Sequence, residues 1–300
     1  MKKLISLLLP VSLLLGGARV APPLPQGADV WLFDCTYANG KLQPGGGYNV
    51  SSRKGYDDQP SFSEGGSYLV YTSEQADGQT DIMRFDPVLK LSRQLTSTAV
   101  SEYSPQYIAG NKFLAAVVVE KDSSQRIWRY HKITGESKVL IPKIYAVGYQ
   151  CWFDASTVFL FQIGDPNMLV LANARNGNKR NCVTNPGRCM QTWKSPRKKL
   201  LLYTQMNEDS TWSVKALNKT GMAEPGFQPV KLPAGTQDFA VDAFNNLIAG
   251  QGSKLMSYNL ITRDGWQEIT DLRGIGFRKI SRIAISRGGA VRLALVNTTE

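Results

Sequence analysis

Apolar and polar residues alternate in short runs along most of the chain, and the runs recur at a nearly fixed interval. The clearest unit begins at Gly55 as GYDDQPSFSEGGSYLVYTS, passes through a polar turn from Glu74 to Gln79, and resumes as TDIMRFDPVLKLSRQLTST. Ser61 to Ser63 reads as the start of an innermost strand, and Glu64 to Ser67 as a Gly-rich hairpin turn. Tyr68 to Ser73 reads as a second strand rich in β-forming residues. Asp81 to Asp86 alternates polar with apolar and predicts a third strand, and Leu91 to Thr96 a short outer fourth.

Four short strands repeating every 40–50 residues or so are the signature of a propeller blade. With Phe62 as the anchor, the counterparts are Tyr107, Trp152, Trp193, Val241 and Ile285, at steps of 45, 45, 41, 48 and 44 residues. Third strands recur at Arg126–Tyr130, Asn167–Leu171, Thr211–Ala216 and Ser253–Tyr258. After Ile285 the chain supplies only one hairpin, RGGAVRLALV. The missing half lies at the other end: Ala28 to Asp34 (ADVWLFD) lines up with Thr80 to Asp86 (TDIMRFD), and Tyr48 to Ser51 reads as a fourth strand. The predicted fold is all-β, a six-bladed β-propeller of four-stranded antiparallel blades over residues 28–300, with the last blade closed by N-terminal strands. Closure removes the free sheet edges on which chains aggregate, so a monomer is expected.

On these residues the chain resembles the TolB-like propeller family, periplasmic relatives of the WD-repeat proteins. Tyr56 to Leu95 carries the likeness: an aromatic and a Ser open the blade, then come a Gly-containing turn, Tyr-x-Ser, an Asp-Ile third strand and a closing Leu-Thr. Ser104-Pro105 and Thr134-Gly135 echo it in the next unit. The resemblance implies export, a propeller and protein binding without catalysis.

The start of the chain fits export. Lys2 and Lys3 precede an apolar run from Leu4 to Leu15, followed by small residues up to Ala21, so residues 1–21 are expected to be a signal peptide. The run is too short to span a bilayer comfortably, and no other segment reads as transmembrane. Formal charge is +11, and loss of a leader carrying Lys2, Lys3 and Arg19 leaves +8. The basic residues are scattered; the densest group, Lys194 with Arg197 to Lys199, fits an exposed loop, and no nucleic-acid partner is expected. Of four cysteines, Cys182 and Cys189 bracket the turn-rich Val-Thr-Asn-Pro-Gly-Arg and form the one natural disulfide pair; Cys35 and Cys151 read as separate buried thiols.

Chemistry is sparse. The single histidine, His131, falls on an outer turn, and there is no Gly-x-Ser-x-Gly elbow. Residues preceding each innermost strand are expected to ring one mouth of the central channel: Tyr56, Asp57, Asp58, Glu102, Tyr103, Tyr149, Arg188, Asp238 and Arg282. Tyr56, Tyr103 and Tyr149 are the preferred contact residues, because tyrosine with an exposed edge anchors interfaces well. Asp57, Asp58 and Glu102 are weak candidates for a hard-cation site and equally serve as turn-capping residues. The expectation is a non-catalytic scaffold, without a cofactor, binding a protein or peptide in the cell envelope. The rivals are a calcium-dependent hydrolase or lactonase using the channel, and a binder of envelope polyanions.

Overall fold

The computed structural model describes residues 27–195 and 197–299, so the expected leader lies outside the described residues. The chain opens with β1 (Ala28–Ala38) and β2 (Lys41–Asn49). Five complete blades follow. They are β3 (Asp57–Phe62), β4 (Leu69–Glu74), β5 (Thr80–Asp86) and β6 (Leu91–Gln94); β7 (Ser101–Tyr107), β8 (Phe113–Val119), β9 (Gln125–His131) and β10 (Ser137–Val139); β11 (Val147–Trp152), β12 (Thr157–Gln162), β13 (Met168–Asn173) and β14 (Lys179–Thr184); β15 (Pro186–Lys194), β16 (Lys199–Met206), β17 (Trp212–Leu217) and β18 (Val230–Lys231); and β19 (Phe239–Val241), β20 (Asn246–Gln251), β21 (Lys254–Asn259) and β22 (Gln267–Asp271). The chain then ends in β23 (Lys279–Ile285) and β24 (Arg292–Thr298). No helix among the described residues is long and apolar enough to cross a membrane.

The sixth sheet has the order β2-β1-β24-β23, so the two ends of the chain build one blade. Strand β1 pairs with β24 from Ala28↔Thr298 to Asp34↔Arg292 without a register break. Alternation along these strands sends their side chains to two different neighbours. Val30, Leu32, Ala294 and Val296 pack against Tyr71 and Phe85 of the first complete blade. Phe33, Leu293 and Leu295 pack against Ile248 and Phe277 on the other side. Each of the remaining seams between blades holds its own apolar cluster in the same way.

The innermost strands begin earlier than the sequence pattern suggests. Phe62, Tyr107, Trp152, Val241 and Ile285 end their strands instead of starting them. The reason is a β-bulge: the register of β3 slips between Asp58 and Ser61, and that of β7 between Tyr103 and Gln106. In the bulges Gln59 and Ser104 take left-handed backbone angles, φ 59° and 52°. An extra residue there breaks the period-2 pattern that identifies a strand. The two bulges are tied together, since the side-chain Oε1 of Gln59 accepts from the Ser104 amide at 2.6 Å and from Thr72 Oγ1 at 3.0 Å.

The bulge also changes where two of the expected mouth residues point. Asp57 and Glu102 are not at the channel; both are fully buried between blades. Glu102 accepts hydrogen bonds from Thr98 Oγ1 at 2.7 Å, Tyr130 OH at 2.9 Å and Thr96 Oγ1, so it fastens β7 to the segment leaving the preceding blade. Asp57 Oδ1 takes Arg53 Nη2 at 3.1 Å, and its Oδ2 has no partner among the described residues. Burial raises both carboxyls above their ordinary values, against hydrogen bonds from Ser73 and Arg53 at Asp57 and from Thr96, Thr98 and Tyr130 at Glu102. Tyr103 packs half-buried against two seams, away from the axis cluster, and Tyr56 is 4% exposed and offers little surface for contact.

Two outcomes follow. Leu32→Ala, at a fully buried site, is expected to cost about 3 kcal/mol of unfolding free energy; a near-neutral effect in denaturant titration would mean that the N-terminal strand is not integral to the ring. A carboxyl with a raised folded-state pKa contributes stability that is present at acid pH and is lost as pH rises through that pKa. The melting temperature of Glu102→Gln relative to the parent should therefore climb between pH 4 and pH 7, roughly the interval over which a raised carboxyl ionises. A flat or falling difference would contradict burial as the cause.

Candidate functional site

The central channel has two unlike mouths. At the beginnings of the innermost strands, side chains from several blades meet across the axis and close it. Arg282, from β23, sits at the centre: its Nε lies 3.4 Å from Asp58 Oδ1, its Nη1 3.2 Å from Asp238 Oδ1, and its Nη2 donates to Tyr149 OH at 3.2 Å. Arg188 completes the set with a two-pronged contact to Asp238 Oδ2, Nε at 2.9 Å and Nη2 at 2.7 Å. Tyr56 OH donates to Asp58 Oδ2 at 3.1 Å. The structure therefore brings together Tyr56, Asp58, Tyr149, Arg188, Asp238 and Arg282, and leaves Asp57, Glu102 and Tyr103 outside.

This cluster is self-satisfied. Burial alone would make the Arg282 guanidinium easier to deprotonate, but Asp58 and Asp238, with the nearby Tyr149 and Tyr56 rings, hold its pKa well above the ordinary value. Burial, then the adjacent Asp58 carboxylate, pushes the Tyr56 phenol up, so it remains a proton donor. Removing one member would leave the others charged and under-paired in a site with little water. Such a loss costs about 3 kcal/mol or more. The space left at this mouth is about 80 Å³. Its two carboxylates are each engaged by an arginine, and among the described residues no group of three His, Cys, Asp or Glu side chains is placed to hold a metal ion.

At the opposite mouth, where the innermost strands end, the channel widens into a funnel of about 530 Å³. Phe62, Tyr107 and Trp152, the anchors of the sequence repeat, stand half-buried on its wall, with the amides of Gln106 and Gln191 lower down. Trp152 is fixed by its indole N–H, which donates to Gln150 Oε1 at 2.9 Å. Gln150 is in turn held by the carbonyls of Ser104 at 2.8 Å and Ala115 at 3.0 Å. Two cations, Lys199 and Arg287, reach the funnel from strand ends. The repeat marks these positions as structural anchors; that their outer edges also line a cavity depends on three-dimensional convergence that spacing does not encode.

The cysteines do not pair. Cys182 lies on β14, at the outer edge of one blade, and Cys189 on β15, at the axis of the next; both are free thiols. The two strands belong to different sheets, and the turn-rich stretch between the cysteines carries the chain from one blade to the next. Cys189 instead exchanges hydrogen bonds with the Phe239 backbone, both at 3.3 Å. Burial raises the thiol pKa at every cysteine, to about 11 at Cys151 and about 12 at Cys35, so none is a ready nucleophile. His131 ends β9, its Nδ1 accepting from the Thr134 amide at 3.2 Å on an outer turn remote from both mouths.

No family model matches the sequence, and no curated protein matches it. Solved structures do. The chain superposes on TolB from Acinetobacter baumannii with a TM-score of 0.57 at 10% identity, covering 90% of this chain and 64% of that one. It therefore spans less than two thirds of that protein's length. It superposes on a putative TolB from Agrobacterium tumefaciens with a TM-score of 0.62 at 10% identity, covering 92% and 99%. A gluconolactonase from Xanthomonas campestris gives 0.61 at 11% identity, covering 94% and 99%. At such identities the likeness is one of fold, shared by proteins with and without an enzyme's name: the chain is a six-bladed β-propeller similar in fold to the TolB structures.

Proposed function

We propose that the protein is a non-catalytic binding propeller of the cell envelope, and that it receives an extended peptide or protein segment at the wide mouth of its channel. The observation that carries this reading is the contrast between the two mouths. One is filled by ion pairs that its own side chains satisfy; the other is a concave funnel with aromatic edges held rigidly on strand ends, the kind of surface on which a few anchoring contacts dominate affinity. The face favoured from sequence is thus exchanged for the opposite one. Placement in the envelope rests on the leader pattern of residues 1–21.

The hydrolase reading draws on the fold shared with a gluconolactonase. Against it stands the commitment of Asp58 and Asp238 to arginines, which leaves neither carboxylate of the narrow mouth free for a cation. The polyanion reading draws on net charge, yet Lys198, Lys231 and Lys254 are each within 2.7 Å of a carboxylate and spread over the outer surface.

Fluorescein-labelled random peptides titrated against the protein test the leading reading. Trp152→Ala should weaken the peptides that bind by about tenfold or more, and Ile133→Ala, on an exposed outer turn, should not. Absence of any bound peptide, or indifference to Trp152→Ala, would refute it. Adding calcium or a chelator should leave the melting temperature unchanged; a rise with calcium, reversed by the chelator, would favour the hydrolase, since a ligand held only by the folded form stabilises it by mass action.

A further inference from the structure

Lys199 and Arg287 stand out among the basic residues of the funnel because neither is matched by a carboxylate among the described residues. Arg287 crosses from the end of β23 to the fourth complete blade, where its Nη1 donates to Thr192 Oγ1 and its Nη2 to the Thr192 carbonyl, both at 2.5 Å. Lys199 Nζ donates to the Phe153 carbonyl. A guanidinium offers five N–H donors and an ammonium three, so each has donors beyond these contacts, and both residues line the funnel. Both residues are open to the funnel water on one side and enclosed by protein on the other.

The same spot is electrostatically short of negative charge. Burial makes both cations easier to deprotonate, and at Lys199 the nearby Arg287 adds to the effect. The two carboxylates at the lip, Asp154 and Glu64, offset this only in part, and each is also engaged by backbone amides. Glu64 Oε2 accepts from the Gly110 amide at 2.9 Å, and Asp154 Oδ1 from the amides of Ser156 and Thr157, both at 2.8 Å.

We propose that the wide mouth captures the C-terminal carboxylate of a peptide, with Arg287 and Lys199 as its donors and the aromatic wall holding the residues that precede it. This rests on the segment-binding reading above and specifies which part of the segment is recognised. The occupant is taken as a peptide because the funnel sets the amides of Gln106 and Gln191, which can pair with a peptide backbone, beside the aromatic edges of Phe62, Tyr107 and Trp152, which can cover its side chains.

The test uses one set of fluorescein-labelled peptides synthesised both as free acids and as C-terminal amides, titrated by fluorescence anisotropy. The acids should bind about tenfold or more tightly than the amides at low salt, with the gap narrowing as salt screens the charges. Arg287→Gln and Lys199→Gln should each shrink that gap and leave amide affinity near the parental value. Lys199→Gln disturbs only local contacts to Phe153, its carbonyl and its ring, so it keeps the test valid even where Arg287→Gln weakens the fold. Equal binding of acid and amide, or a gap that survives both substitutions, overturns carboxylate capture and leaves segment binding standing. Failure of both peptide forms overturns the two together. Displacement by oligoglucuronate of a probe that no peptide displaces would assign the cations to an acidic glycan and overturn the peptide terminus.

Discussion

Everything in this molecule depends on burying both faces of every sheet at once. A four-stranded antiparallel blade with apolar residues on its two faces is insoluble alone, and each face finds cover only against a neighbouring blade. The interior is accordingly a ring of separate seams and not one central core: Val70 and Ile82 meet Leu114 and Ala116 in one, Val214 and Val230 meet Phe239 and Leu247 in another. A ring has no terminal blade to leave bare, provided it closes. Closure is supplied by β1 lying against β24, where Leu32 and Val296 cover one neighbour and Phe33 and Leu295 the other. The hydrophobic gain from the closing strands is thus spent on both adjoining blades, and the N-terminal strand is as much core as any strand of the middle blades.

The same constraint explains why so much of the fold could be read without coordinates. Seams demand apolar residues on alternate positions of the second and third strands, so TDIMRFD and ADVWLFD look alike even though one lies inside a blade and the other closes the ring. Third strands predicted at Arg126–Tyr130 and Thr211–Ala216 lie within a residue or so of β9 and β17. The innermost strands were less legible. They line a channel, carry polar residues, and are broken by bulges at Gln59 and Ser104, so neither alternation nor β-propensity marks their first residues.

That local irregularity also decided which site residues could be identified. Asp57 and Asp58 are adjacent and look equivalent, yet successive residues of a strand face opposite ways. One is sealed between blades; the other reaches Arg282 of the neighbouring blade at the channel. Arg188, Asp238 and Arg282 lie up to 94 residues apart, and only the shared repeat phase placed them together in the sequence reading. The Cys182–Cys189 pairing failed for the opposite reason: proximity in sequence hid the fact that the chain between them travels from the rim of one blade to the axis of the next.

The two mouths show how one architecture serves stability and recognition at opposite ends. Innermost strands that converge on an axis bring side chains from every blade into a small volume, where charges must pair or remain in contact with water. At the narrow mouth Arg282 and Arg188 pair with Asp58 and Asp238 of neighbouring blades, and the hydrogen bond from Arg282 to Tyr149 spans the axis. At the wide mouth the strands have diverged, and Arg287 reaches the opposing blade only to rest on a threonine. A guanidinium held on neutral oxygens keeps its field directed into the cavity. The geometry that uses up charge where the strands meet therefore leaves it available where they part, and the wide mouth is where a partner has something to gain by entering.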